Sequence, residues 1–331
     1  MGKLRELIGI VKSSRRVFIQ MHNSPDPDAI ASAFGLQYLL SLENIPTVIC
    51  YKGEIDKYNT QRMIELLNIE VRNIRNIADM REDDHIILVD SQAGNSNVSD
   101  FIGCEVAAID HHPSFQEVEY DFVDIRPEIG ACSTIIAQYF MEDNIPIPEA
   151  VATALLYGIK MDTLELLRGA SELDLDMFYA LHKLSEIDII NKIQMNTLQF
   201  EELIAYGNAI KNIRIYGNVG FANVGINCPD SLLGTISDFI ISIKEVEFSI
   251  VYSPRENGIK FSLRNEIDGL DAGRVINTAL EGIGNGGGHK AMAGGFLPTG
   301  KLVKTYGELE PFLEDRFLEI IETEGLNKKG V

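Results

Sequence analysis

The sequence predicts an α/β protein that has an N-terminal doubly wound, mostly parallel sheet and a smaller C-terminal α/β domain. Over the first 195 residues, short apolar runs rich in Val and Ile alternate with helical patterns, as in sheets whose parallel strands are connected by helices. From Ile215 onward, longer strand-like runs and a glycine-rich stretch replace this alternation. The chain of 331 residues is long enough for two domains, at roughly 100–200 residues per domain.

The N-terminal elements are predicted from the spacing of apolar residues. Strands are expected where β-branched and aromatic residues form short runs. These runs cover 17–21, 47–51, 85–89, 105–109 and, more weakly, 120–123. Helices are expected where apolar residues recur every three or four positions. These patterns cover 3–14, 29–41, 59–68, 131–143, 148–160 and 174–184. Asp28 is a favourable N-cap and predicts that the second helix begins at Ala29.

A helical pattern over 196–213 is predicted to connect the two domains. It divides the chain into a first domain at 1–195, a linker at 196–214 and a second domain at 215–331. Strands of the second domain are predicted at 218–224, 246–252 and 258–264, and the last two are spaced as a hairpin. Its helices are predicted at 230–242, 271–282 and 304–323. The glycine-rich stretch from Gly282 to Gly295 is expected to form a loop.

The net charge of −20 limits the partners that the chain can bind. Binding to long DNA or RNA uses many Lys and Arg side chains to neutralise phosphates, whereas this chain has 29 basic and 49 acidic residues. We therefore expect no long duplex nucleic acid as a partner and only short nucleic acids as substrates. No run approaches the roughly 18 apolar residues that span a bilayer, so we expect no membrane partner and a cytoplasmic location. The oligomeric state is open, with a homodimer as one option.

Acidic and imidazole side chains follow three predicted strands and one predicted helix. They are His22, Asp26 and Asp28; Asp90; Asp110, His111 and His112; and Asp162. In open α/β sheets, ligands bind at the carboxyl ends of the strands. Carboxylates that converge there repel one another unless cations neutralise them. A ligand set of carboxylates and imidazoles without thiolates suits Mn²⁺ or Mg²⁺, with zinc and iron as alternatives.

These side chains are more numerous than one ion requires. Two ions roughly 3.5–4 Å apart, bridged by a shared carboxylate, would use them. Each motif also has a simpler interpretation. His22-x3-Asp26-x-Asp28 alone is typical of a turn followed by an N-cap, Asp90 of a loop start, and His111-His112 of an exposed pair. Their occurrence at one edge of the same predicted sheet favours the metal site.

In order and spacing, these motifs resemble those of the DHH phosphoesterase superfamily, and most of all its NrnA-like branch. The resemblance runs through His22-x3-Asp26-x-Asp28, Val89-Asp90, Ile109-Asp110-His111-His112-Pro113 and Gly158-Ile159-x2-Asp162-Thr163. The later stretch Gly286-Gly287-Gly288-His289-Lys290 resembles the glycine–histidine motif of the DHHA1 domain. The resemblance therefore implies a DHH metal-binding catalytic domain followed by a DHHA1 substrate-binding domain.

The resemblance implies a role for each N-terminal position. His22 and Asp26 would hold one Mn²⁺ ion, Asp28, His111 and Asp162 would hold the other, and Asp90 would bridge the two. Mg²⁺ or another divalent ion is an alternative. Among the catalytic candidates Asp90, Asp110 and His112, Asp110 would orient an imidazole, and His112 would contact the phosphate or donate a proton. A water activated by both metals would attack phosphorus in line.

In the second domain, the resemblance implies a nucleotide site made by Arg264, Gly286, Gly287, Gly288 and His289. Arg264 would bind a terminal phosphate through two N–H groups. The glycine-rich loop would offer backbone N–H groups to an anion. Taken alone, such a stretch is equally typical of a turn.

The activity that the resemblance implies is Mn²⁺-dependent hydrolysis of short oligoribonucleotides, linear or cyclic dinucleotides, or 3′-phosphoadenosine 5′-phosphate. One alternative is hydrolysis of pyrophosphate or polyphosphate, and another is a nucleotide-binding module without turnover. The nucleotide-type residues Arg264 and Gly286–His289 favour the first. Met161 and Asn285 depart from the family pattern and leave the exact substrate open.

Overall fold

The computed structural model describes residues 2–114, 118–195, 198–298, 300 and 306–326. The chain divides into two compact units, Met1–Thr197 and Leu198–Val331. Each unit has its own six-stranded sheet and apolar core. The predicted α/β fold, with a parallel N-terminal sheet and a separate C-terminal sheet, is confirmed. Within the described residues, no helix combines the length and apolar character needed to cross a bilayer.

Six parallel strands form the N-terminal sheet. They are β1 Val17–Gln20, β2 Thr47–Tyr51, β3 Val71–Asn73, β4 His85–Val89, β5 Cys104–Asp110 and β6 Phe122–Ile125. Their order is β3-β2-β1-β4-β5-β6. The strand order changes direction between β1 and β4, which makes this place the topological switch point of the sheet. Open α/β sheets bind ligands in the crevice outside the carboxyl ends of the strands at the switch point. The sequence did not predict β3, which is short and has no buried residue.

Seven helices flank this sheet among the described residues. They are α1 Lys3–Val11, α2 Pro27–Ser41, α3 Tyr58–Leu66, α4 Cys132–Glu142, α5 Glu149–Asp162, α6 Glu172–His182 and α7 Ile187–Gln194. Asp26 caps α2, because its Oδ1 accepts the N–H groups of Asp28 at 2.9 Å and Ala29 at 3.1 Å. The prediction that Asp28 is the N-cap was wrong. Pro27 takes the first helical position, where a missing N–H is tolerated.

The region between the two sheets differs from the single predicted helix over 196–213. Helix α7 ends at Gln194, a short 3₁₀ helix covers Phe200–Glu202, and α8 covers Leu203–Asn212. Positions 196 and 197 lie outside the described residues. Helix α7 was missed because a pattern of eight residues is too short to establish a helical period.

A mixed sheet forms the centre of the C-terminal unit. Its strands are β7 Arg214–Tyr216, β8 Val219–Asn223, β9 Phe248–Arg255, β10 Gly258–Asn265, β11 Asn285–Gly288 and β12 Met292–Pro298, in the order β11-β12-β10-β9-β8-β7. The predicted hairpin of β9 and β10 is confirmed by their antiparallel register. The described helices of this unit after α8 are α9 Asp230–Ile241, α10 Ala272–Leu280 and α11 Tyr306–Leu326.

The glycine-rich stretch forms strands instead of the predicted loop. Strand β11 pairs antiparallel with β12, and Gly286 lies opposite Gly295. A Cβ on Gly286 would lie 2.6 Å from Cγ1 of Ile276, and one on Gly295 would lie 2.7 Å from Cδ1 of Leu280. The prediction was wrong because these glycines serve close packing against α10, where a side chain does not fit.

Candidate metal centre

The carboxyl ends of three neighbouring strands bring the predicted N-terminal ligands together. Strand β1 leads into His22 and Asp26, and β4 ends directly before Asp90. Strand β5 ends at Asp110, which His111 and His112 follow. Asp28 lies in the first turn of α2, and Asp162 is the last residue of α5. The candidate ligands form three groups, and within each group one ligand atom of every residue lies within 4.8 Å of the others. The groups are His22, Asp26 and Asp90; Asp28, His111 and Asp162; and Asp90, Asp110, His111 and His112.

Asp90 lies between two imidazoles and faces each with a different oxygen. Its Oδ2 is 3.6 Å from Nε2 of His22, which is also 3.9 Å from Oδ1 of Asp26. Its Oδ1 is 3.4 Å from Nε2 of His111. The carboxylate is therefore placed to take part in two adjacent ligand groups at once.

The second group converges on His111. Its Nε2 lies 3.1 Å from Oδ2 of Asp162 and 4.0 Å from Oδ2 of Asp28. With Asp90, three carboxylates surround this one ring nitrogen. The arrangement provides an oxygen-rich site with one nitrogen ligand, a donor set that suits Mn²⁺ or Mg²⁺ and needs no thiolate.

Backbone carbonyls orient both imidazoles. Nδ1 of His22 lies 3.0 Å from the carbonyl oxygen of Asn23, and Nδ1 of His111 lies 3.2 Å from that of Ile129. A ring whose Nδ1–H donates to a carbonyl presents the lone pair of Nε2 on its other side. Histidine ligands of metals are commonly held in this way.

Helix α4 holds the carboxylate of Asp28. Its Oδ2 accepts the N–H of Cys132 at 2.7 Å, and its Oδ1 accepts the N–H of Ser133 at 2.9 Å. The positive end of the helix dipole favours a negative charge at this place. Gly158 makes room for the arrangement, since a Cβ there would lie 2.2 Å from Oγ of Ser133 and 3.0 Å from Oδ1 of Asp28.

Two candidate ligand atoms of the metal centre are buried without a hydrogen-bond partner among the described residues. They are Oδ1 of Asp90 and Nε2 of His111. Asp90 also has a left-handed backbone with φ of 55°, a conformation that costs free energy in a non-glycine residue and occurs preferentially at functional sites. A carboxylate oxygen and an imidazole nitrogen that lie side by side without hydrogen-bond partners are suitable ligands for a divalent cation.

Burial and neighbouring carboxylates shift the pKa values of the groups in this centre. Burial raises the pKa of the Asp90 carboxyl to about 6. Burial, together with the charges of Asp90 and Asp162, raises the pKa of Asp28 well above its usual range. Burial acts to lower the pKa of His111, but the nearby carboxylates of Asp162 and Asp90 raise it to about 12. Divalent cations would supply the positive charge that the buried carboxylates lack.

Asp110 is fully buried and positions His112. Its Oδ1 accepts the backbone N–H of His111 at 2.8 Å and lies 2.8 Å from Nδ1 of His112. Its Oδ2 accepts a hydrogen bond from Nε2 of Gln92 at 2.7 Å. The half-exposed ring of His112 therefore has a fixed Nδ1 and lines a neighbouring cavity.

Several residues that line the cavity beside His112 were not singled out from the sequence. They include Asn95, Ser96 and Asn97 in the loop after β4. Gln92, which supports Asp110, was also missed. Their only signal in the sequence is a run of small polar residues directly after a strand end, and such runs are common in ordinary loops.

The C-terminal candidates lie in the second unit. Nε of Arg264 lies 2.5 Å from Oδ1 of Asp238, and its Nη2 donates to the carbonyl of Gly234 at 3.2 Å, so its charge is already paired within the unit. Gly286, Gly287 and Gly288 lie in β11. His289 follows this strand and is exposed. Binding of nucleotide by these residues stays a prediction.

Two family models match the chain: the N-terminal domain of the DHH family over residues 16–159, and the DHHA1 domain over residues 217–320. An uncharacterized protein of Methanocaldococcus jannaschii is 30% identical over 317 residues, which are 95% of this chain and 65% of that protein. A probable manganese-dependent inorganic pyrophosphatase of Streptococcus thermophilus is 28% identical over 154 residues, which are 46% of this chain and 49% of that protein. The chain thus spans about half to two thirds of the length of these curated relatives.

One solved structure shares the fold over nearly the whole chain. It is the crystal structure of an exopolyphosphatase-related protein from Bacteroides fragilis, with a TM-score of 0.76 and 20% sequence identity. The similarity covers 98% of this chain and 97% of that chain. At this level of identity the comparison concerns the fold and not the substrate.

Proposed function

The chain belongs to the DHH family, with a DHHA1 domain after its DHH domain, and on this premise we propose that it is a divalent-metal-dependent phosphoesterase. One observation carries the proposal. The two oxygens of Asp90 face the Nε2 atoms of His22 and His111, and further carboxylates stand around both rings. A carboxylate shared between two such groups is typical of two-metal phosphatases and nucleases.

The residues around Asp90 would divide between two cations. His22 and Asp26 would hold the first, and Asp28, His111 and Asp162 would hold the second, with Asp90 shared. We propose Mn²⁺ as the preferred ion, because the donor set contains carboxylates and imidazoles without thiolate. When bound, the two cations would acidify a water molecule and neutralise charge on the phosphoryl oxygens.

The protein's own groups bind and orient the substrate. Asp110 fixes the ring of His112 through Nδ1, which leaves Nε2 to contact the phosphate or to protonate the departing oxygen. Backbone carbonyls keep the rings of His22 and His111 turned toward the carboxylates. No side chain of the site needs to form a covalent bond to phosphorus.

The substrates we propose are short oligoribonucleotides, linear or cyclic dinucleotides, and 3′-phosphoadenosine 5′-phosphate. The DHHA1 domain and the net charge of −20, which disfavours long nucleic acids, support this class. Hydrolysis of pyrophosphate or polyphosphate is a second candidate, supported by the similarity to a probable manganese-dependent pyrophosphatase.

Product release by the purified chain with Mn²⁺ tests the proposal. The substrates are a ribodinucleotide, a ribo-24-mer, 3′-phosphoadenosine 5′-phosphate, pyrophosphate and tripolyphosphate. Asp90→Ala should lower turnover by more than about 100-fold, because even loss of a residue behind the metal ligands typically costs 10–100-fold. Asp176→Ala, on the exposed face of α6, is the matched control and should leave turnover unchanged.

Bound metal is measured in the same preparations by elemental analysis. Turnover of the ribodinucleotide or the bisphosphate ranks the nucleotide substrates, and cleavage of pyrophosphate and tripolyphosphate alone would support the second candidate. Bound metal without turnover of any phosphoester, or full activity of Asp90→Ala, would contradict the proposed function.

A further inference from the structure

A cavity of about 380 Å³ opens beside the metal centre within the N-terminal unit. Asp90, Asp110 and His112 line one part of it, and the loop Gly94–Asn97 lines another. Its volume is near the lower end of the about 300–1,000 Å³ that ligand pockets usually have. The cavity is therefore suited to a group of the size of one nucleoside and not to a long chain.

The loop side of the cavity is polar and uncharged. Asn95, Ser96 and Asn97 contribute two amides and a hydroxyl, and their side chains make no hydrogen bond to any other described residue. Of the described residues that line the cavity, His112 alone can carry a positive charge. The described lining offers no guanidinium or ammonium side chain that would bind the charge of a leaving phosphate. Amide and hydroxyl groups can donate to and accept from sugar hydroxyls.

Hydrogen bonds fix the loop on both sides of this uncharged stretch. The carbonyl of Asn97 accepts the N–H of Asn23 at 2.7 Å, and the carbonyl of Ser99 accepts from Nε2 of the buried Gln20 at 2.6 Å. On the other side, the side chain of Gln92 is bonded to Asp110. A loop backbone that is held in place before binding loses less entropy when the ligand arrives.

We infer that the loop Gly94–Asn97 is a leaving-group pocket that selects an uncharged, hydroxyl-bearing group such as the sugar of a nucleoside. The inference rests on the proposed phosphoesterase function and makes it more specific. In the reaction, the oxygen of water bonds to phosphorus and the P–O bond to the sugar breaks. The sugar oxygen leaves with a proton as a hydroxyl. The pocket thereby favours phosphoesters over pyrophosphate, whose leaving group is an anion.

The test compares kcat/KM for a dinucleoside monophosphate and for pyrophosphate with Mn²⁺. The wild-type chain should prefer the dinucleoside monophosphate, whose leaving nucleoside is uncharged. Asn97→Lys should lower this preference at least about tenfold, because an ammonium attracts phosphate and displaces the amide. Asn191→Lys, on the exposed side of α7, adds the same charge outside the cavity and should leave the preference unchanged.

A binding measurement separates the pocket from catalysis. Adenosine binding to the chain in chelator is followed by ligand-observed NMR, and Asn97→Ala should weaken it several-fold while Asn191→Lys does not. If the wild type cleaves pyrophosphate at least as efficiently as the dinucleoside monophosphate, the inference is overturned while the phosphoesterase proposal stands. If the wild type cleaves no phosphoester at all, the proposed function fails. Adenosine binding that Asn97→Ala leaves unchanged would overturn the pocket.

Discussion

Replacing Asp90 by Asn should stabilise the metal-free protein and remove its stabilisation by Mn²⁺. The side chain of Asp90 is 3% exposed, and the carboxylate of Asp26 acts with burial to raise its pKa. Asparagine has nearly the same shape, so the substitution removes a buried charge without opening a cavity. The two expected effects have opposite signs, which distinguishes a metal ligand from a residue that merely supports the fold.

The magnitude follows from the pKa of Asp90. Burial raises it from 3.8 to about 6, and one pKa unit corresponds to about 1.4 kcal/mol. The ionised carboxylate is therefore less favourable in the folded protein than in the unfolded chain by about 3 kcal/mol. An acid whose pKa is raised on folding lowers stability as the pH rises from its unfolded pKa through its folded pKa. The Asn variant should thus gain up to about 3 kcal/mol at about pH 8, and this gain should shrink as the pH falls through 6.

Urea unfolding of wild type and Asp90→Asn, in chelator and in Mn²⁺, measures both effects. Wild type should gain about 2.7 kcal/mol when free Mn²⁺ is about 100 times its dissociation constant, and the variant should gain much less. Asp176→Asn, exposed on α6, should behave as wild type. If Asp90→Asn is less stable than wild type in chelator, the buried carboxylate of Asp90 does not destabilise the metal-free protein and the prediction is wrong. Equal stabilisation of both proteins by Mn²⁺ would refute the assignment of Asp90 as a ligand.

Further predictions concern other parts of the centre and the second unit. Gly158→Ala should lower the free energy of unfolding by about 1–3 kcal/mol and weaken Mn²⁺ binding, since the added methyl meets a serine oxygen at 2.2 Å. Gly9→Ala, where the methyl meets nothing within 4 Å, should raise it by about 0.5–1 kcal/mol in the same urea assay. The hydrogen bond that Asp110 accepts from the ring raises the pKa of His112. Asp110→Asn should therefore lower that pKa in an NMR titration of the ring, and an unchanged value would contradict the positioning role. Arg264→Ala should raise KM about tenfold for a 5′-phosphorylated dinucleotide and leave it unchanged for the unphosphorylated dinucleotide. The tenfold change corresponds to about 1.4 kcal/mol in binding. Equal effects on both substrates would argue against a phosphate contact.

Local patterns in the sequence were sufficient to locate the strand ends that carry the centre. Val and Ile runs end directly before Asp90 and at Asp110, and the structure ends β4 and β5 at those places. The N-terminal cap of α2 was not predictable with the same certainty, because Asp26 and Asp28 are both favourable cap residues. The position of Pro27 in the first helical turn decided between them.

Other features that were predicted wrongly or missed depend on packing between distant segments. Gly286 and Gly295 lie in paired strands because α10 leaves no room for side chains there, whereas glycine in sequence is more typical of turns. The polar loop Gly94–Asn97 has no unusual composition. It becomes a cavity wall only because β4 and β5 are neighbours and bring it beside His112.

By itself the sequence determined which side chains reach the carboxyl edge of the N-terminal sheet. Strand ends follow from local apolar runs, and parallel strands expose their carboxyl ends on the same side. Only the tertiary structure decided that Asp90 lies between His22 and His111, with one oxygen toward each. That arrangement depends on the order β1-β4-β5, which brings together residues far apart in the chain, and on backbone carbonyls that orient the rings.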